Sequence, residues 1–260
     1  MFIRRTVSHF LNNLLNRFGY AIVRFHGGDE NSARFESSAE NTYAYENIIL
    51  VDTLSPWATD QEFQILRKLI IRNTLVDVYR CYELYQMVKE VSGIDGDILE
   101  VGVWRGGTGA ILAAAAKRWK PEANVFLCDT FSGVVKADEH DPGYRGGEHS
   151  DTSEEIVSSL ISKIDGKNIK ILSGIFPEET SESIGQRNIS LCHIDVDVYK
   201  SALDVVRWVE PRMLSGACIV FDDYGFSSCQ GITRVVDELR ATGRWIYIYN
   251  LNKHAILIKR

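Results

Sequence analysis

The sequence predicts an α/β fold in which helices cover both faces of a mostly parallel sheet. From Asp97 onwards, short apolar runs alternate with helical segments, which is the pattern of repeated β-α units. A glycine-containing turn at 102–107 joins the first strand to the first helix of this pattern, and two pairs of aspartates follow later strands. The composition, 45% hydrophobic and 25% charged over 260 residues, is typical of a globular protein with a substantial core.

The elements are expected to form a seven-stranded sheet, with five parallel strands and an antiparallel C-terminal hairpin. The strands are expected at 97–101, 124–128, 169–172, 189–195 and 217–221, and the hairpin strands at 245–249 and 255–258. The helices are expected at 108–119, 153–164, 201–209 and 231–241, after one helical stretch at 60–91. Residues 51–260 are thus predicted to be the main domain.

Residues 1–50 are predicted to form a basic amphipathic helix followed by a polar arm. Their apolar stripe is expected to pack on the domain or on a second subunit of a homo-oligomer. The alternative is a peripheral contact between residues 1–26 and an anionic membrane surface. The apolar residues at helical spacing are Leu11, Leu14, Leu15 and Phe18, and the basic residues are Arg4, Arg5, Arg17 and Arg24.

Composition also narrows the location and the partners. The sequence contains neither a run of about 20 apolar residues nor a signal-peptide cleavage site, so we expect a cytoplasmic protein. Its five scattered cysteines form no C-x-x-C pair and are expected to be reduced thiols. The net charge of −6 argues against nucleic acid as a partner.

Four aspartates carry most of the chemical information. Asp195 and Asp197 follow the fourth predicted strand, and Asp222 and Asp223 follow the fifth. The carboxyl ends of neighbouring parallel strands border the crevice in which such sheets bind ligands. Carboxylates that converge there repel one another unless a cation lies between them. Because hard oxygen ligands suit magnesium, calcium or manganese, we expect a divalent metal at this edge.

The turn after the first strand has the features of a ligand-binding turn. It reads EVGVWRGGT from Glu100 to Thr108, which is neither G-x-G-x-x-G nor a P-loop. An acidic residue before the glycines favours a cationic or amino-bearing ligand over a pyrophosphate. Asp129 ends the second strand, where an acid typically accepts hydrogen bonds from a ribose.

Five motifs in order make the chain resemble the macrocin O-methyltransferase family, the class I S-adenosylmethionine-dependent, metal-dependent sugar O-methyltransferases of macrolide and novobiocin biosynthesis. The motifs are EVGVWRGG at 100–107, DTFSG at 129–133, GIFPEET at 174–180, HIDVDVY at 193–199 and FDDYG at 221–225. The resemblance extends from about Thr74 to the C-terminus. It implies a Rossmann-like class I methyltransferase fold and methyl transfer to a hydroxyl of a sugar or glycoside.

The resemblance also implies roles for individual residues. Asp197 would be the general base, and magnesium would bind to Asp195, Asp222 and Asp223. The S-adenosylmethionine site would comprise Glu100, Gly102, Gly106 and Thr108 at the methionine part, Asp129 at the ribose, and Ser173, Gly174 and Phe176 at the adenine. A catechol-type enzyme acting on an aromatic diol and a non-catalytic cofactor-binding relative are the alternatives.

A long loop at 131–151 is predicted to be a lid, because loops of this length in compact domains usually bind or cover a ligand. A disordered surface insertion is the alternative. Its His140 and His149 are candidates for metal ligands or bases, or for solvated loop residues. Three residues on the helix before the first strand are expected in the acceptor pocket or the cofactor cover, with core packing as the alternative: Tyr79, Arg80 and Tyr82.

Overall fold

The computed structural model describes residues 54–164 and 166–260, so the amphipathic helix and polar arm predicted for residues 1–50 lie outside the described residues. The strands are β1 (Asp97–Val101), β2 (Val125–Asp129), β3 (Ile169–Ser173), β4 (Ile189–Ile194), β5 (Cys218–Phe221), β6 (Trp245–Ile248) and β7 (Ala255–Lys259). The helices are α1 (Gln61–Ile70), α2 (Val78–Glu90), α3 (Gly107–Trp119), α4 (Glu154–Ile161), α5 (Tyr199–Val209) and α6 (Gln230–Ala241). In this part of the chain, no helix is both long and apolar enough to cross a membrane.

The strands form one seven-stranded sheet in the order β3-β2-β1-β4-β5-β7-β6. Strands β1 to β5 pair in parallel, whereas β7 runs antiparallel to both β5 and β6. The predicted Rossmann-like α/β fold with an antiparallel C-terminal hairpin is therefore confirmed.

The helical stretch expected at 60–91 is two helices, which corrects the prediction. Asp60 begins α1 by accepting a hydrogen bond from the Phe63 N–H, and Asp77 begins α2 in the same way from the Tyr79 and Arg80 N–H groups. Between the helices, the carbonyl of Asn73 accepts a hydrogen bond from the backbone N–H of Gly107. The break therefore brings this segment against the turn that follows β1.

Two apolar layers lie on opposite faces of the sheet because successive strand residues point to opposite sides. Ile98, Leu127 and Val220 face the layer that includes α1 to α4. Leu99 and Ile219 face the layer that includes α5 and α6. The result is a three-layer arrangement whose parallel strands all end at one edge of the sheet.

That edge is crowded where β1 and β4 end side by side. The Asp195 N–H donates to the Val101 carbonyl, which brings Gly102 directly beside the backbone of Asp195. Gly102 has a φ of +90°, and a Cβ atom there would lie 1.7 Å from the Asp195 carbonyl oxygen. Only glycine fits at this position, whatever ligand the turn binds.

Replacing Gly102 should therefore destabilise the fold itself. We expect Gly102→Ala to lower the free energy of unfolding by about 3 kcal/mol, because it combines a backbone overlap with a left-handed conformation. Gly185→Ala is the matched control, since Gly185 also has a positive φ but has open space around its Cβ position. The control should lose about 1 kcal/mol in urea unfolding. Equal losses in the two variants would contradict the predicted overlap at Gly102.

Candidate active site

The carboxyl ends of the parallel strands border a cavity of about 340 Å³. All four aspartates of the two clusters line it, as the sequence predicts for neighbouring strand ends. Of the residues predicted to bind the cofactor, Gly102, Thr108, Asp129, Gly174 and Phe176 line the cavity, whereas Glu100, Gly106 and Ser173 are not among its lining residues.

Asp129 holds the turn after β1 in place. One carboxylate oxygen accepts hydrogen bonds from the N–H groups of Val103 and Trp104, at 2.7 and 2.8 Å. The other oxygen accepts from the Phe131 N–H at 2.7 Å. An ionised carboxylate has about four lone-pair positions, so capacity remains for a ligand hydroxyl in the cavity.

Glu100 lies beneath the turn and is fully buried. Its Oε1 is 2.8 Å from Nδ1 of His193, a residue to which the sequence assigned no role. Gly109 of α3 leaves room for the other oxygen, since a Cβ at Gly109 would lie 2.8 Å from Glu100 Oε2. Among the described residues this oxygen has no hydrogen-bond partner. The contact of Glu100 with the methionine part of a cofactor stays a prediction.

The aspartates repel one another in a buried setting. Carboxylate oxygens of Asp195, Asp222 and Asp223 lie within 4.8 Å of one another. Burial, followed by the charges of neighbouring carboxylates, raises the pKa of Asp195 and of Asp223 well above the ordinary value. Burial also raises the pKa of Asp197. Such crowding disfavours the simultaneous ionisation of all four groups in the absence of further positive charge.

A divalent cation fits this donor set. Asp195, Asp222 and Asp223 supply hard oxygen ligands close enough to share one ion, and a cation between them would relieve their mutual repulsion. Asp197 and Asp223 also have left-handed backbones, with φ of 64° and 62°. Non-glycine residues adopt this conformation at a cost of about 1–3 kcal/mol, and such strain clusters at functional sites.

Arg80 provides positive charge at the site, and the sequence did not single out this role. Its Nη1 is 2.7 Å from both oxygens of Asp222, and its Nε is 2.8 Å from Asp77. Burial alone would raise the pKa of Asp222, but Arg80 and then His254 outweigh it and hold that pKa below the ordinary value. His254 Nε2 lies 2.9 Å from Asp222, and its Nδ1 is hydrogen-bonded to Glu83.

A signal for this network was present in the sequence. Asp77, Arg80 and Glu83 are spaced by three residues on α2, which places their side chains along one face of the helix. Charged residues on a helix face usually meet solvent, and the sequence does not show that this face meets Asp222 after β5 and His254 before β7. Arg80 therefore lines the cavity, as a place in the acceptor pocket or cofactor cover would require. Its side chain is the ion-pair partner of Asp222 there.

The 131–151 loop supplies two aromatic groups to the cavity. The Tyr144 hydroxyl donates a hydrogen bond to Asp197 Oδ1 at 2.7 Å, and His149 also lines the cavity. His140 is outside the lining set and instead stacks on the ring of Tyr199. The loop therefore has fixed contacts, in contrast to the alternative of a disordered insertion.

Comparison with known proteins identifies the family of this chain. The family model for macrocin-O-methyltransferase (TylF) matches residues 69–246. A Streptomyces olivaceus protein, the 8-demethyl-8-(2,3-dimethoxy-alpha-L-rhamnosyl)-tetracenomycin-C 4'-O-methyltransferase, is 26% identical over 66% of this chain and 74% of its own length. The demethyldecarbamoylnovobiocin O-methyltransferase of Streptomyces niveus is 26% identical over 65% of this chain and 68% of its own length.

Solved structures share the fold. The O-methyltransferase NovP has a TM-score of 0.61 at 24% identity and covers 72% of this chain and 82% of its own. The calicheamicin methyltransferase CalS11 has a TM-score of 0.60 at 18% identity, with coverage of 79% and 94%. From the family match over most of the chain, we conclude that this protein belongs to the macrocin-O-methyltransferase (TylF) family and is an S-adenosylmethionine-dependent O-methyltransferase.

Proposed function

We propose that this enzyme methylates a hydroxyl of a sugar or glycoside in a magnesium-dependent reaction, with Asp197 as the general base. The observation that carries the proposal is the meeting of the two aspartate pairs and the glycine turn in one cavity. The names of the curated relatives support a glycoside acceptor, because they specify a rhamnosyl tetracenomycin and a novobiocin precursor. Self-association and membrane contact through residues 1–26 stay predictions from the sequence.

The cavity residues fall into two groups, one for the methyl donor and one for the metal beside the acceptor hydroxyl. Gly102, Thr108, Asp129, Gly174 and Phe176 would hold S-adenosylmethionine, and Asp195, Asp222 and Asp223 would hold magnesium. When bound, S-adenosylmethionine supplies a methyl group on a sulfonium, and magnesium supplies a Lewis acid that orients and acidifies a hydroxyl.

Asp197 would move the proton. Its position supports this role, because it lines the same cavity as the proposed metal ligands and lies in the segment that follows β4. Asp197 would take the proton of the acceptor hydroxyl as the oxygen forms its bond to the methyl carbon. S-adenosylmethionine would supply the methyl carbon, and the electron pair of its carbon–sulfur bond would stay on sulfur in a neutral thioether. The cavity walls would contribute by holding the acceptor hydroxyl in line with that bond.

Asp197→Asn should abolish most turnover without weakening donor binding. General-base catalysis typically contributes about 10²–10⁴-fold, so we expect kcat to fall by at least about 100-fold. Methyl transfer from labelled S-adenosylmethionine to a panel of glycosides measures this loss, and titration of S-adenosylhomocysteine checks the donor site. Asp237→Asn is the control, because Asp237 is an exposed aspartate that also accepts a hydrogen bond from a tyrosine. Wild-type turnover in Asp197→Asn would refute the proposed base.

Metal removal should separate binding from turnover. We expect S-adenosylhomocysteine to bind with similar affinity in magnesium and in EDTA, because its predicted contacts lie on the glycine turn and β3 side. Methyl transfer should be lost in EDTA and restored by excess magnesium. Calorimetric titration and the labelled-methyl assay provide the two measurements. Full turnover in EDTA would exclude the proposed metal dependence. If S-adenosylhomocysteine bound in neither buffer, the proposed donor site would be contradicted.

A further inference from the structure

The first half of the 131–151 loop is attached to the start of α5. The N-cap residue of α5 is Val198, whose side chain cannot cap the helix. Asp141 provides the cap from the loop, since its Oδ1 accepts a hydrogen bond from the Tyr199 N–H at 2.9 Å. Asp141 is 1% exposed, and Ser201 also donates to the carbonyl of Val135 at 2.9 Å. The loop thus joins the helix that begins two residues after Asp197.

The second half of the loop folds back on itself. The backbones of Val134 and Glu148 are hydrogen-bonded at 2.8 Å, and the Gly147 N–H donates to the Val134 carbonyl at 2.9 Å. The Glu148 carboxylate accepts hydrogen bonds from the N–H groups of Arg145 and Gly146. The side chain of Tyr144, at the tip of this closed loop, lines the cavity.

That side chain, Tyr144, touches the proposed base. Its hydroxyl is 2.7 Å from Asp197 Oδ1, and Cys229 Sγ approaches the same oxygen at 3.8 Å. Burial and the charge of Asp197 raise the pKa of the Tyr144 phenol, so the hydroxyl keeps its proton and donates it. Tyr144 and Cys229 both approach Oδ1, and the Asp223 carboxyl also shares a hydrogen bond with Asp197.

We propose that Tyr144 is a positioning residue that fastens the 131–151 loop over the acceptor side of the cavity and orients the Asp197 carboxylate for the acceptor hydroxyl. The proposal rests on the proposed function in taking Asp197 as the base. A hydrogen bond to a charged group is stronger than one between neutral groups, so this single contact couples loop closure to the orientation of the carboxylate. Tyr144 therefore acts on the acceptor half of the reaction, whereas Asp151 at the end of the loop bonds to Trp104 and Arg105 of the glycine turn.

Tyr144→Phe tests the proposal because it keeps the ring and removes only the hydroxyl. Tyr199→Phe is the matched control: it removes a phenol hydrogen bond to Glu238 outside the cavity and keeps the ring that stacks on His140. Hydrogen exchange of the full-length chain, with S-adenosylhomocysteine and magnesium present, reports opening of the loop through the amides of 138–147. We expect about 10-fold faster exchange there in Tyr144→Phe, and no change in Tyr199→Phe, from the loss of one charge-assisted hydrogen bond.

Turnover gives the second measurement. In Tyr144→Phe we expect kcat to fall about 10-fold, with S-adenosylhomocysteine affinity within about twofold of wild type, because the donor side is untouched. Unchanged exchange would overturn the fastening role, and unchanged kcat with faster exchange would overturn the orienting role. Faster exchange in Tyr144→Phe combined with no methyl transfer by the wild-type chain would instead leave the loop contact standing and remove the proposed function.

Discussion

The structure depends most on how negative charge is balanced at the edge where β4 and β5 end. Arg80 approaches both oxygens of Asp222 at 2.7 Å and also pairs with Asp77. All three side chains of this ion-paired group are buried. Burying an ion pair gains little on balance, but leaving one buried partner alone costs about 3–5 kcal/mol. Helix α2 therefore cannot leave the sheet without exposing an uncompensated carboxylate. The same contact sets the orientation of a proposed metal ligand, so stability and site geometry share one interaction.

This ion pair belongs to a polar stripe that crosses an otherwise apolar face of the sheet. Glu100 and His193 are register partners on β1 and β4, and their side chains pair at 2.8 Å. One strand further, Asp222 meets His254, which in turn is bonded to Glu83 of α2. Because burying a polar side chain without a partner costs free energy, the stripe favours the register in which these pairs meet. The apolar residues around the stripe stabilise the packing of α2 on the sheet, and the polar pairs determine the position in which α2 packs.

The two halves of the cavity are built differently. The proposed donor side consists of strand ends and a turn held by backbone hydrogen bonds to Asp129. The proposed acceptor side is assembled from the 131–151 loop and the segment before α6, which contribute Tyr144 and Cys229. Asp197 and Asp223 lie between the halves with left-handed backbones. Strain of this kind persists only where surrounding contacts fix the chain, and the loop contacts on the start of α5 provide that constraint.

The sequence by itself determined the α/β class, the strands and helices to within a few residues, and the meeting of both aspartate pairs at one sheet edge. These features follow from local periodicity and from the rule that parallel strands end together. It failed where distant parts of the chain meet, since the helical stretch at 60–91 is broken where the Asn73 carbonyl bonds to the Gly107 N–H. It also gave no sign that Glu100 pairs with His193 beneath the turn. Only the tertiary structure decided that Arg80 neutralises Asp222 and that Tyr144 reaches Asp197. Those pairs join residues 142 and 53 positions apart, and local periodicity carries no information about which distant side chains will share a buried space.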